Sequence, residues 1–268
     1  MDKKYNLFIS PHLDDVVFSL SQVLKNMIAL EENIIIATVF TQENPELLKT
    51  FTGDYYHYAN YPERKREDKN VITKLSSKIK IIYLDLQDEI FRKENNEKKI
   101  ILEIREKINK LLNDFNIINI YCPLGIGYHL DHIITYTAIN FFSNKYQINL
   151  YYDYPYCTIK LNKITRLSEF GIFQEQLHIQ DLIDYYNNPI YSSCFFLIRI
   201  IKIIILLFKY IFNFFNIPRN FKVQYFITQN KLENMKGYHT QINPIFGNEK
   251  ILKETITKNN LETIINFI

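Results

Sequence analysis

The chain has 268 residues, 47% hydrophobic and 23% charged, enough apolar material for one large core beneath an ordinary surface. A formal net charge of +3, with no dense Lys/Arg block, removes the electrostatic case for a nucleic-acid partner. Three cysteines without paired spacing (Cys122, Cys157 and Cys194) argue against a disulfide framework and a Cys-rich structural zinc site, and point to a reducing, cytoplasmic setting.

The opening MDKKYNLFIS has too short an apolar stretch for a signal peptide, and Tyr5 to Ser10 reads as a strand. Val16 to Leu30 is expected to be a helix, Ile34 to Phe40 a β-branched strand, and Glu63 to Leu75 a charged helix. Ile79 to Leu86 reads as the third strand. Glu97 to Phe115 carries Ile100, Ile101, Ile104, Ile108, Leu111 and Leu112 at helical spacing. Ile117 to Cys122 is the fourth strand, Ile133 to Phe142 a helix, and Leu150 to Tyr152 opens a fifth strand. This rhythm predicts an α/β fold with a mostly parallel sheet covered on both faces. Further on, Ser168 to Tyr186 and Lys231 to Gln241 are expected to be helical, and Val223 to Thr228 a strand.

Polar clusters fall at the strand ends: PHLDD, TQENPE, DLQDEIFR, PLGIGYHLDH and YDYPY follow strands one to five in turn. In open parallel sheets ligands bind beyond the carboxyl ends of the strands, so five loops converge on one rim.

Two of these loops carry chemistry. His12, Asp14 and Asp15 combine an imidazole with two carboxylates, a donor set that suits zinc. The alternative is that Asp14 or Asp15 only caps the next helix. His129 and His132 stand three residues apart at a helix start and can face one site, with Asp131 between them to orient an imidazole. The alternative here is a polar helix cap with two exposed histidines. His57 and His178 read as surface or packing residues.

The pair of motifs, PHLDD at 11–15 and HLDH at 129–132, resembles the PIG-L/LmbE-like family of zinc-dependent N-acetyl sugar deacetylases. The stretch from Arg64 to Asp68, the stretch from Leu84 to Asp88 with Arg92, the stretch from Tyr152 to Tyr156, and the stretch from Lys236 to Gln241 are similar to its secondary signatures. The resemblance covers residues 5–157 well and 231–248 loosely, and it implies a Rossmann-like three-layer sandwich with a single catalytic zinc. By motif position it implies His12, Asp15 and His132 as metal ligands and Asp14 as the general base acting on a zinc-activated water. A protonated His129, tuned by Asp131, would support the oxyanion and the leaving amine, with Tyr128 a further donor. Iron(II) fits the same ligands. Leu13 and Leu130 depart from the proline that many relatives carry.

Arg66, Asp88, Arg92 and Asp153 at the rim are candidates for sugar hydroxyl contacts, with Glu43 a similar one. Tyr238 and Gln241 are candidates from the C-terminal side, with His239 nearby. For each, a surface ion pair or a helix cap is the alternative.

Residues 1–268 are expected to form one domain, with 187–220 an apolar helical insertion. Within it, SSCFFLIRIIKIIILLFKYIFNFFNI at 192–217 has only Arg199, Lys202 and Lys209 as charges, all on one side of a helix. Three cations suit a helix lying in a membrane interface better than one spanning it. A buried helix or an oligomer interface is the alternative. The expected function is removal of an N-acetyl group from an amino sugar that is lipid-linked or membrane-delivered, at the cytoplasmic membrane face. The rival from another class is a catalytically silent carbohydrate- or lipid-binding module. A nucleotide-binding enzyme is poorly supported, because no GxGxxG follows strand one.

Overall fold

Alternating β-branched runs and 3.6-period patterns produce a seven-stranded sheet in the order β3-β2-β1-β4-β5-β7-β6. The structure, a computed structural model, describes residues 3–93, 96–173, 175–191, 196–213 and 220–267. In chain order the elements are β1 (Lys4–Ser10), α1 (Asp15–Ala29), β2 (Asn33–Phe40), α2 (Pro45–Leu48), α3 (Gly53–Ala59), α4 (Tyr61–Leu75) and β3 (Lys80–Leu86). Then come α5 (Glu97–Asp114), β4 (Asn116–Pro123), α6 (Leu130–Asn140), β5 (Gln147–Tyr151), α7 (Lys160–Ser168), α8 (Ile179–Tyr186) and α9 (Phe196–Asn213). The chain continues through β6 (Phe221–Ile227), α10 (Lys231–Met235), α11 (His239–Phe246), α12 (Glu249–Lys258) and β7 (Leu261–Phe267).

Strands β1 to β5 pair in parallel, as their apolar runs predict, because both faces are covered. Leu7, Ile9, Ile35 and Ala37 point into one core with α5, α6 and Leu167 of α7. Phe8, Ile34 and Ile36 point into the other, with α1, α4 and α10 to α12. The period-2 alternation of the strands therefore builds the three layers of the Rossmann-like sandwich.

The sheet's order reverses between β1 and β4, its two central strands, and the crevice beyond their carboxyl ends is where such sheets place a ligand. PHLDD leaves β1 and HLDH opens α6 after β4, so two motifs 117 positions apart in the chain meet at that crevice.

Several elements differ from expectation. The helix expected over Ser168 to Tyr186 forms only from Ile179, as α8, because α7 ends at Ser168 and Gly171 turns the chain with φ +72. His178 and Asp181 then start α8 with a capping box. The helix expected over Lys231 to Gln241 also breaks: Gly237 lies so close to α4 that an added Cβ would meet Val71 at 2.2 Å. Strand β7 and helices α2, α3, α7 and α12 were not expected. β7 pairs antiparallel with both β5 and β6 and completes the sheet. Its Glu262 accepts hydrogen bonds from Gln22 N and Val23 N, holding α1 where Leu20 leaves helical geometry.

The apolar segment is described over 196–213; its other positions, including Cys194, lie outside the described residues. Helix α9 packs on α7 and α8 through one narrow side, with Leu206 its one buried residue. It is not a buried core helix: Phe208 is 71% and Phe212 82% exposed. Among the described residues no helix is long and apolar enough to cross a membrane.

Candidate metal-binding active site

Three ligand-type side chains converge where β1 and β4 end. Nδ1 of His12 and Nε2 of His132 each lie 3.3 Å from the same oxygen, Oδ2 of Asp15. The three ligating atoms all fall within 4.8 Å of one another, and all three residues are buried. Two ligands about 2.0–2.1 Å from a tetrahedral ion stand roughly 3.3 Å apart, so this spacing fits a small divalent ion. A second grouping, His12 with His129 and Asp131, is equally compact. Its Asp131 is already committed, accepting from Arg92, from Glu89 N at 3.1 Å and from His12 Nε2 at 3.2 Å. The grouping on Asp15 is therefore the better metal site.

Each of the two imidazoles has a carboxylate on its far nitrogen. Nε2 of His12 meets Asp131, and Nδ1 of His132 meets Asp153 Oδ1 at 2.6 Å. Such pairs fix the ring and raise the basicity of the nitrogen left for a metal. Asp153 also accepts from Gly125 N and Ile126 N through its other oxygen. Gly127 makes this loop possible, with φ +93 and no room for a Cβ against Tyr156. Burial would lower His132, yet the Asp15 and Asp153 carboxylates push it up to about 10. Burial would raise Asp15, yet the His132 and His12 imidazoles hold it well below the usual carboxylate range.

Asp14 stands one residue from the cluster and plays another part. Its side chain makes no cap hydrogen bond to α1. Its Oδ1 accepts from Arg64 Nη2 at 3.2 Å, and Arg64 is anchored in turn by donating to Tyr58 O. Burial, and next the adjacent Asp15, push the Asp14 carboxyl up to about 6 against the pull of Arg64. A carboxylate poised near neutrality is suited to accept a proton.

His129 caps α6, its Nδ1 accepting from Asp131 N at 3.3 Å. That bond assigns the ring proton to Nε2. Burial, then the neighbouring His12 and His132, push His129 down to about 4. That shift runs against the protonated form expected from the motif. The Asp131 carboxylate hydrogen-bonds to His12 and Arg92 and acts on His129 through its charge, which opposes the downward shift.

These residues open on a cavity of about 320 Å³ lined by His12, Asp14, Asp15, Arg64, Asp88, His129 and His132, with Tyr55, Tyr58, Ile90, Tyr154, Pro155, Tyr156, Gln241 and Ile245. Of the expected sugar contacts, Asp88 and Gln241 reach it. Asp88 is held in place, accepting from Ile90 N and from the Tyr61 hydroxyl. Four others do not serve as expected. Arg66 is exposed and paired with Glu63, because α4 turns Arg64 to the cavity instead. Arg92 lies behind Asp131 and also donates to Gln87 O. Asp153 is buried against His132. Tyr238 is buried and donates to Asp68 Oδ1. Glu43 pairs with Lys65, and His239 lines a different surface pocket. Tyr128 turns away from the cavity and donates to Glu169. His57 and His178 are exposed, as expected.

The sequence reading missed Arg64, Tyr55, Tyr58, Tyr154 and Tyr156. The signal for the last two lay in YDYPY, which follows β5 at the same rim. Tyr55 and Tyr58 belong to α3, which was not anticipated.

Comparison with known proteins agrees with this geometry. Solved structures similar to the whole chain include a deacetylase-bog complex from the biosynthesis pathway of teicoplanin, at 17% identity and TM-score 0.66, covering 98% of each chain. A second is the A40926 pseudoaglycone deacetylase Dbv21, at 18% and 0.66, covering 100% of this chain and 98% of that one. A third is the zinc inhibited form of teicoplanin deacetylase Orf2, at 16% and 0.66, covering 98% of each. At these identities the likeness establishes the fold. No curated protein matches the chain. The family model described as PIG-L, GlcNAc-PI de-N-acetylase, matches residues 7–141, a span that runs from β1 through both motifs to the end of α6. With that match over half its length, the chain belongs to the PIG-L family.

Proposed function

We propose that this protein is a metal-dependent hydrolase that removes an N-acetyl group from an amino sugar, with the ion held by His12, Asp15 and His132. The observation that carries the reading is the shared 3.3 Å spacing of both imidazoles to Asp15, beside an Asp14 that neither caps a helix nor joins the cluster. The donor set favours zinc, with iron(II) the next candidate. When bound, such an ion polarises the acetyl carbonyl and brings the pKa of water toward neutrality.

The chain's own residues supply the rest. Asp14, its Oδ1 fixed by Arg64, takes the proton of the attacking water. His129 donates its Nε2–H to the oxygen on which charge builds. The carbon–nitrogen bond then breaks, Asp14 returns its proton to the amine, and acetate and a free amino sugar leave. Asp131 and Asp153 keep the two ligand imidazoles oriented. The tyrosine faces of the cavity suit the apolar face of a sugar ring, and Asp88 suits its hydroxyls.

The same reading takes the sugar to be lipid-linked or membrane-delivered, and the protein to work at the cytoplasmic face of a membrane. The test is acetate release across a panel of N-acetylated sugars, free and lipid-linked, with a chelator control. Chelator-sensitive release from at least one member is expected. Tight binding of a sugar without release from any member would favour a silent binding module instead.

A further inference from the structure

At about 100° per residue, the side chains of α9 sort into two unlike sides. Leu206 is buried on α7 and α8, with Ile203 and Leu207 beside it. The opposite side carries Leu197, Ile201, Ile204, Ile205, Phe208 and Phe212, all exposed. They fill a continuous arc of about 100°, with no polar residue inside it. Past the exposed Ile198, Lys209 and Lys202 come next at one edge, between the apolar arc and the protein. No aspartate or glutamate occurs in α9.

We propose that this outward face of α9 docks, lying flat, into the interfacial layer of a membrane rich in anionic lipid. An apolar arc turned to solvent, with the exposed Lys202 at one edge to reach headgroups and Lys209 beside it also meeting Glu169 Oε1 at 3.5 Å, is the pattern of an interfacial helix. A second copy of the chain suits the face less well, because another α9 brings only cations to meet Lys202 and Lys209. The docked helix would lie one side chain from the active site: Lys209 Nζ sits 4.0 Å from the ring centroid of Tyr128, the residue before His129. Tyr128 packs in the same cluster as Leu206. The proposal names the partner at which the proposed deacetylase meets its substrate, and it rests on that activity for its purpose but not for its test.

The test is flotation of the full chain with vesicles of phosphatidylcholine alone or mixed with phosphatidylglycerol. Most of the protein is expected to float with the anionic vesicles, and at least threefold less with the neutral ones or in high salt. The pair Ile204→Asp and Phe208→Asp should leave the protein in the soluble fraction. The pair Lys202→Glu and Lys209→Glu should cut anionic binding at least threefold. Circular dichroism checks that each variant folds, and the milder Ile204→Asn with Phe208→Asn replaces the first pair if it does not. Wild type remaining at the bottom with both vesicle types overturns the proposal. So does a lipid-free dimer in sedimentation velocity that the Ile204 and Phe208 substitutions dissociate. Acetate release across the free and lipid-linked panel is measured in parallel: its absence from every member alongside normal flotation refutes the deacetylase reading and leaves the docking intact.

Discussion

The cavity at the centre of the sheet and helix α9 both depart from ordinary burial, in opposite directions. Around the cavity, His12, Asp14, Asp15, Asp131, His132 and Asp153 are buried polar groups, each facing partners that offset its desolvation. On α9, large apolar side chains face water while a single leucine is buried. A chain with ample hydrophobic residues has no packing reason for either arrangement. Departures of this kind gather where a fold is built to bind something, which is why one region is read as a metal-dependent catalytic centre and the other as a docking face.

The comparison is broken most sharply at Asp14. If it is the proton acceptor and not a ligand, Asp14→Ala should lower kcat by about 10²–10⁴ while metal content stays at wild type. Loss of metal with the activity would merge Asp14 into the ligand set. Next in size are the carboxylates behind the ligands. Asp153→Asn and Asp131→Asn should each weaken metal affinity by about 10–100-fold, measured by competition with a chromophoric chelator. Unchanged affinity would leave these two residues with a purely structural role.

On α9 the two sides should respond differently in lipid-free solution. Leu206→Ala should cost about 2–4 kcal/mol of unfolding free energy. Phe208→Gln should change it by no more than about 0.5 kcal/mol. Equal costs would mean that the outward face packs on protein after all.

The smallest effect concerns a buried acid of the cavity's supporting layer. Burial pushes Asp68 up to about 8, against hydrogen bonds from the Tyr238 and Tyr83 hydroxyls. A carboxyl raised in the folded state binds its proton more tightly there than when unfolded. Its contribution is therefore fully present below about pH 4 and is lost as pH rises through about 8. Urea titrations should show wild type losing stability over that window, with Asp68→Asn flatter by about 1 kcal/mol or more. Parallel curves would place the ionisation elsewhere.

The sheet and the meeting of the two motifs were legible in the sequence because both follow from period and chain order. Strands β1 to β5 show as apolar runs, and loops after parallel strands necessarily share one rim. What was not legible is which way a side chain turns at that rim. Arg64 and Arg66 are two residues apart on α4, about 200° around the helix, so one faces the cavity and the other faces solvent. Spacing alone did not choose between them. Asp153 and Asp131 were placed at the correct loops, but their partners depend on the phase of α6 and the register of β5 against β4. In α9 the composition revealed an amphipathic helix, while the side that packs was set by contacts with α7 and α8 that no local pattern encodes. β7 was missed although its LETIINF carries an apolar run of its own.

The central claim is tested most directly by metal stoichiometry. Purified protein, stripped with chelator and titrated with zinc, should bind one ion per chain, whereas His132→Ala and Asp15→Ala, shown to be folded by circular dichroism, should bind none at the same concentrations. Retention of one tightly held ion by both variants would contradict the account.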